Sequence, residues 1–219
     1  MGVADILARP DIWRGDRLVE APLPAVASGF AALDAELPGG GWPRGALTEL
    51  LVDGAGLGEL SLLTFALAYV REAGGWSLLV APPHPPHAPA WAAAGVDLAR
   101  LAVVSPASSR DALWAMEQAL ASGAPRAVVG WLPYADARAL RRLQVAAVAG
   151  GALAFLFRPT RMAAEASAAP LRLQLAGEGE QLAVRILKRR GPPVHAPLSL
   201  AIPRPARLRS RRHAIFAPE

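Results

Sequence analysis

The chain contains no cysteine among its 219 residues, which removes disulfides and thiolate metal ligands and fits a reducing compartment. No lysine precedes Lys188, so most of the chain offers no ammonium group to a phosphate. Long hydrophobic runs are missing as well. The longest, residues 145–157, is interrupted by Gly150 and Gly151 and falls short of the about 20 residues a membrane-spanning helix needs. The opening stretch MGVADILARPDIWRG lacks a basic segment leading into an apolar one, so no secretory signal is expected. These absences lead to the expectation of a soluble, cytoplasmic protein with no membrane partner. Acid is scarce near the C-terminus: beyond Glu180 only Glu219 is acidic, against Arg185, Lys188, Arg189, Arg190, Arg204, Arg207, Arg209, Arg211 and Arg212. With a net charge of +5, that asymmetry points to an anionic partner, nucleic acid first, although a solvated basic tail has the same composition.

What is present is an apolar chain, 53% hydrophobic and rich in alanine, punctuated by 21 prolines and 20 glycines. Its length suits one domain with extensions. Residues 1–25 read as an N-terminal extension, 26–200 as the core, and 201–219 as a basic Pro/Arg-rich tail. Within the core a short helix is expected over residues 28–37, with Ser28 as its cap. Strands are expected at 46–52, 76–81, 101–104, 127–131 and 152–157, with helices at 60–73, through Trp91, from Ser108 and at 135–149. Ser108 and Asp111 form a capping-box-like start. Residues 171–176 and 181–187 read as an antiparallel pair. The strands are continuous apolar runs alternating with helices, which predicts an α/β fold: a mostly parallel sheet flanked by helices, finished by a C-terminal antiparallel hairpin.

Residues 53–61 (Asp53-Gly54-Ala55-Gly56-Leu57-Gly58-Glu59-Leu60-Ser61) lie between a strand and a helix, where a phosphate-binding loop sits. Such a loop needs glycines so that backbone N–H groups converge on phosphate, a lysine for the β/γ-phosphates, and a Ser/Thr hydroxyl for Mg²⁺. Taking Gly58 as the last glycine puts Glu59 at the lysine position, Leu60 at the hydroxyl position and Asp53 at the first glycine. Two carboxylates in that place would repel a triphosphate. The loop alone reads better as a glycine-rich turn with no ancestry in nucleotide binding.

The flanking residues carry more. The segment from Ser28 to Leu50, SGFAALDAELPGGGWPRGALTEL, resembles the stretch that precedes the phosphate loop in RecA/RAD-type recombinases, so a RecA-like core is implied. WSLLVAPPH resembles the next core strand, and the catalytic glutamate of that family would fall near Pro83. AVVGWLP resembles the Walker B strand, with Gly130 where its aspartate would stand. ALAFLFRP follows, with Arg158 near a nucleotide-sensing glutamine, and LAVRILKRRGPP resembles a late strand. Every position that would handle ATP is replaced, so the resemblance implies a non-enzyme with no catalytic residue, cofactor or metal and a vestigial loop. Within that superfamily, Trp13-Arg14-Gly15, LPGGGWPRG and KRRGPP resemble the ImuA family of accessory proteins for mutagenic translesion DNA synthesis. That implies a non-catalytic adaptor under SOS control. Its partners would be RecA and an ImuB-like inactive Y-family polymerase, with an error-prone C-family polymerase reached indirectly. SulA-like inhibitors of division-ring assembly share the same degenerate body and are the alternative.

For partner or DNA contact the candidates are Trp13, Arg14, Lys188, Arg189, Arg190, Arg207, Arg209, Arg211 and Arg212. Arginine and lysine side chains can bind phosphates without sequence preference, and a tryptophan can anchor an interface. Solvated charge and a tryptophan folded onto its own core are the plain alternatives. His84 and His87, with no cysteine and no nearby carboxylate, make a weak metal pair. The remaining tryptophans, Trp42, Trp76, Trp91, Trp114 and Trp131, read as packing residues, with Trp114 and Trp131 as stacking candidates if exposed.

Overall fold

The computed structural model describes residues 24–202, apart from Ala73 and Glu180. An eight-stranded sheet organises them, in the order β10-β9-β8-β3-β7-β6-β4-β5. Its strands are β3 (Ala46–Leu51), β4 (Trp76–Val80), β5 (Leu101–Val104), β6 (Pro125–Trp131), β7 (Leu153–Arg158), β8 (Leu171–Glu178), β9 (Gln181–Lys188) and β10 (Leu198–Ala201). From β5 across to β8 neighbouring strands run parallel, while β9 and β10 are added antiparallel. A two-stranded ribbon, β1 (Ala25–Val26) with β2 (Trp42–Pro43), stands apart. The α/β fold with a mostly parallel sheet and C-terminal antiparallel strands is therefore present.

Five α-helices cover the sheet: α1 (Ala31–Glu36), α2 (Ser61–Glu72), α3 (Ala88–Ala93), α4 (Ser109–Ser122) and α5 (Ala137–Gly150). Strand alternation divides their work. Leu50, Val129, Phe155 and Leu173 face a core closed by Leu33 of α1, Leu63 and Leu67 of α2, and Trp91 of α3. Leu47, Val128 and Leu156 face the opposite way, against Met116 and Leu120 of α4 and Leu140 and Leu143 of α5. All six residues of β7 are buried, as expected of a central parallel strand covered on both sides. By contrast β9 alternates buried and open positions, because one of its faces meets no helix core.

Local chemistry sets the helix ends. The Ser108 hydroxyl accepts the Asp111 N–H at 3.1 Å at the start of α4. The Asp136 carboxylate accepts the Ala139 N–H at 2.7 Å at the start of α5. Gly123 and Gly151, at φ +65° and +67°, terminate these helices in the left-handed conformation. The α4 and α5 ends press together at Gly150, where a Cβ would lie 1.9 Å from the Leu120 carbonyl oxygen. No side chain fits there.

Two details differ from the sequence expectation. The first helix is shorter than 28–37, because Gly29 at φ +87° breaks it. Ser28 instead folds over the helix start, its N–H donating to Asp34 Oδ1 at 2.8 Å and its hydroxyl accepting the Phe30 N–H. Strand β10 was not anticipated, since Pro192, Pro193, Pro197 and Pro203 surround it. Ala201 ends this strand and Ile202 is buried in the core. Residues 1–23 and 203–219, with the expected N-terminal extension and most of the tail, lie outside the described residues.

One polar cluster lies deep among these layers. Glu49 of β3 is fully buried and binds two arginines. Arg158 Nη1, at the end of β7, donates to Glu49 Oε1 at 2.6 Å, and Arg172 Nε, on β8, donates to Oε2 at 2.5 Å. Arg158 Nη2 also reaches the Ala135 carbonyl at 2.6 Å. The remaining Arg172 donors reach the carbonyls of Met162, Ala163 and Glu165 in the 3-10 segment after β7 and just beyond it. A buried charge left without its partner costs about 3–5 kcal/mol, and total stabilities are only about 5–15 kcal/mol. Glu49→Gln is therefore expected to lower the unfolding free energy by about 3–5 kcal/mol in urea titrations. A loss under about 1 kcal/mol would show that the two guanidinium groups are adequately solvated without it.

Candidate functional site: a glycine loop closed by its own carboxylate

The loop between β3 and α2 has the backbone of an anion nest. Gly54, Gly56 and Gly58 take φ of +85°, +87° and +93°. At Gly54 and Gly56 a Cβ would meet nothing within 4 Å, so the left-handed backbone alone calls for glycine. The Leu57 N–H donates to Glu59 Oε2 at 2.9 Å, and the Gly56 N–H makes a longer bond of 3.4 Å to Oε1. Backbone amides of the kind that converge on phosphate in such loops meet the chain's own carboxylate here. Glu59 is buried, and Leu60 packs against the main core rather than presenting a polar group.

Neighbouring strands hold the loop down. A Cβ at Gly58 would lie 2.9 Å from Ile202 Cγ2, and one at Gly177 of β8 would lie 3.1 Å from Leu57 Cδ2. The antiparallel extension thus packs directly on the loop. On the other side, Asp53 accepts the Thr160 N–H at 3.0 Å and also the Thr160 hydroxyl. These two hydrogen bonds, aided by the charge of Arg161, hold the Asp53 carboxyl below its ordinary pKa.

The other positions tied to nucleotide chemistry are equally occupied. Gly130 is buried, and a Cβ there would lie 2.5 Å from Met116 Sδ, so an aspartate needs Met116 to move. Pro83 is exposed in the loop after β4. Just before it, Ala81 takes φ +53°, an uncommon conformation for a residue with a Cβ. Arg158, expected near a sensing position, has its guanidinium bound to Glu49 and the Ala135 carbonyl instead. Among the described residues no group of three or more His, Cys, Asp and Glu could hold a metal ion. No helix among them is long and apolar enough to cross a membrane.

Residues 47–154, about half of the chain, match the family model described as cell division inhibitor SulA. Over this segment the chain is similar to the SulA family. The SulA of Edwardsiella piscicida is 35% identical over 109 residues, covering 50% of this chain and 65% of that protein. The SulA of Photorhabdus laumondii subsp. laumondii is 37% identical over 113 residues, with 50% and 63% covered. A protein RecA from Chlorobaculum parvum is 35% identical over 116 residues, covering 52% of this chain and 33% of that protein, which marks a distant RecA homologue. In each case the chain spans less than two thirds of the relative's length. The crystal structure of SulA from Pseudomonas aeruginosa superposes with a TM-score of 0.44 at 28% identity, over 52% of this chain and 97% of that one.

The SulA-family segment contains the loop, Gly130, α4 and α5, whereas Arg158 and strands β8 to β10 lie beyond it. The candidate contact residues are scattered. Lys188 Nζ donates to the Ser167 carbonyl at 2.9 Å. Arg189 is held within the chain. Its Nε donates to the Pro192 carbonyl at 2.8 Å, and its Nη1 binds both the Glu36 carbonyl and, at 3.0 Å, the Glu36 carboxylate, tying β9 to α1. Arg190 is exposed. Trp13, Arg14, Arg207, Arg209, Arg211 and Arg212 lie outside the described residues. Of the tryptophans, Trp42 packs edge-on against Phe155 and Trp131 stacks on Phe157, whereas Trp114 and Trp76 are exposed. Sequence reading missed the exposed arginines of α5, though Arg138, Arg141 and Arg142 recur at helical spacing.

The Asp53–Thr160 clasp has a pH signature. A carboxylate whose pKa is depressed in the folded state stabilises above its unfolded value, near 3.9, and loses that contribution as pH falls through the folded value. Asp53→Asn is therefore expected to destabilise at neutral pH, with the gap from the parent protein narrowing below about pH 3.9. Denaturant titrations from pH 7 down to pH 3 check this. A gap that stays constant would show that the carboxylate charge is irrelevant.

Proposed function

We propose that this chain works by binding a protein partner through a RecA-like surface, without nucleotide turnover. The observation that carries the reading is the Glu59 carboxylate on the Gly56 and Leu57 amides, which fills the place a phosphate would need. The family segment and the names of the curated relatives favour an inhibitor of cell-division ring assembly. On that reading the chain binds the tubulin-like division protein and withholds it from polymerisation. Adding the purified chain to that protein is expected to depress polymerisation, followed by light scattering, in proportion to the inhibitor added. Undiminished polymerisation at stoichiometric excess would refute it.

A second reading is favoured by a separate observation. Strands β8, β9 and β10 and the KRRGPP segment at residues 188–193 lie outside the SulA-family match, yet the three strands belong to the same sheet, and Gly177 of β8 and Ile202 after β10 pack on the loop. They extend the RecA-like body and match the ImuA resemblance. This supports an adaptor in SOS-induced mutagenic translesion synthesis that binds RecA and an ImuB-like polymerase factor. Basic C-terminal residues would add an electrostatic contact to DNA. Retention of those partners by the immobilised full chain, with the division protein ignored, would select this reading.

Both readings share one prediction. ATP binding is expected to be undetectable up to about 1 mM, a level at which even weak specific ligands register calorimetrically. Installing the missing groups by Glu59→Lys with Gly130→Asp is expected not to generate hydrolysis, because Met116 fills the space over residue 130. Turnover by that double variant would show that only the two side chains were lacking.

A further inference from the structure

Helices α4 and α5 touch at Gly150. Between them runs an open trough of about 520 Å³. Its floor is Ala121 of α4 with Val145, Ala146 and Ala149 of α5, and its rim carries Arg138, Arg141 and Arg142. Val145 is 62% exposed and neighbouring Val148 61%. Glu117 answers one of the three cations: its Oε1 accepts from Arg142 Nε at 3.0 Å, and Oε2 accepts from Nη2. Arg138 and Arg141 remain exposed.

The position of these charges is itself informative. They sit in the first two turns of α5, where the helix already presents unpaired N–H groups and the positive end of its dipole. Cations there are unfavourable, and Asp136 at the cap and Glu117, paired with Arg142, offset them only in part. An arrangement that raises positive potential along an apolar trough fits a ligand with a carboxylate-lined edge and an aliphatic face. We infer that the α4–α5 trough docks an acidic amphipathic helix of a partner protein, its apolar stripe on Val145 and Ala149 and its carboxylates on Arg138 and Arg141.

Nucleic acid fits the surface less well. Single strands bind through aromatic platforms that stack bases, and no aromatic side chain lines this trough. The floor is aliphatic, and Glu117 lies within it. A helix laid in an apolar groove presents anchors spaced at i, i+3, i+4 and i+7, and the aliphatic floor of the trough offers those anchors Val145, Ala146 and Ala149. The inference rests on the partner-binding reading above. Its test uses neither division protein nor polymerase factor, so the two can fail separately.

The probes are two fluorescent designed helical peptides with the same Leu stripe, one flanked by Glu and the other by Lys, and a single-stranded oligonucleotide. Each is titrated into the full chain by anisotropy, with amide chemical-shift mapping of the contact face. The Glu peptide is expected to bind, to shift α4 and α5 resonances, and to weaken as salt rises. Arg138→Glu with Arg141→Glu should weaken it at least about tenfold, as removal of paired interface charges does. Val145→Asp, at an exposed position, should do likewise while the far-ultraviolet spectrum stays unchanged. The inference is overturned by absence of Glu-peptide binding, by equal binding of the Lys peptide, by shifts mapping elsewhere, or by binding insensitive to these variants. It is also overturned if the oligonucleotide occupies the trough and displaces the peptide.

Discussion

The fully buried carboxylate of Glu49 constrains more of this structure than any other single group. It sits mid-sheet on β3 and is shared by Arg158 on one neighbouring strand and Arg172 on the other. Three strands are thereby keyed to one another by charge as well as by their backbone ladders. Removing two cations and an anion from water is costly, and the geometry must recover that cost through short, numerous hydrogen bonds. Hence Arg172 binds three carbonyls of the turn that follows β7, and Arg158 reaches back to the Ala135 carbonyl. Fixing the Arg158 side chain fixes the end of β7. That places Thr160 against Asp53, at the mouth of the glycine loop. The state of the loop depends, through this chain of contacts, on a carboxylate well inside the sheet.

The loop answers a general demand in an unusual way. A run of left-handed glycines creates converging N–H groups, and converging N–H groups attract an anion. In a phosphate-binding loop the anion is exchangeable, so occupancy can report the nucleotide state. Here Glu59 is covalently part of the loop, and Leu57 and Gly58 are held beneath by Gly177 and Ile202. An internal anion cannot be exchanged. The same backbone that would switch conformation with ligand is held in one arrangement, which suits a surface that must keep a constant shape for a protein partner.

Much of this could be read before any coordinates. Apolar runs such as ALAFLF and AVVGW announce strands covered on both faces, and the Ser108–Asp111 spacing announces a helix start; both appear where expected. The substituted loop positions were legible too, since Glu59 stands where a lysine would be. Hidden from the sequence was what those residues bind. Nothing local signals that Glu59 turns back on Leu57, that Arg158 points at Glu49, or that Met116 fills the space over Gly130. These are contacts between distant segments or against the direction of a motif. The basic run at residues 188–190 shows the same limit: composition reports charge, whereas only packing reveals that Arg189 faces Glu36. Strand β10 was hidden because proline-rich flanks mask a short edge strand whose partner comes from β9.

The loop and the α4–α5 trough treat positive potential in opposite ways. In the loop, backbone amides meet Glu59 and the site is closed from within. At α5, the helix N-terminus and three arginines add to one another, with Glu117 and Asp136 as the nearby carboxylates. Uncompensated cations on a helix N-terminus lower stability slightly, so the arrangement favours a state in which further anions arrive from outside. That difference separates a scaffold position from a recognition position on physical grounds. A group satisfied internally contributes the same whether or not a partner is present, while an exposed, like-charged cluster over an aliphatic floor gains only on association. By this criterion the glycine loop is part of the scaffold, and the proposed recognition surface lies on the other face of the sheet, along α4 and α5.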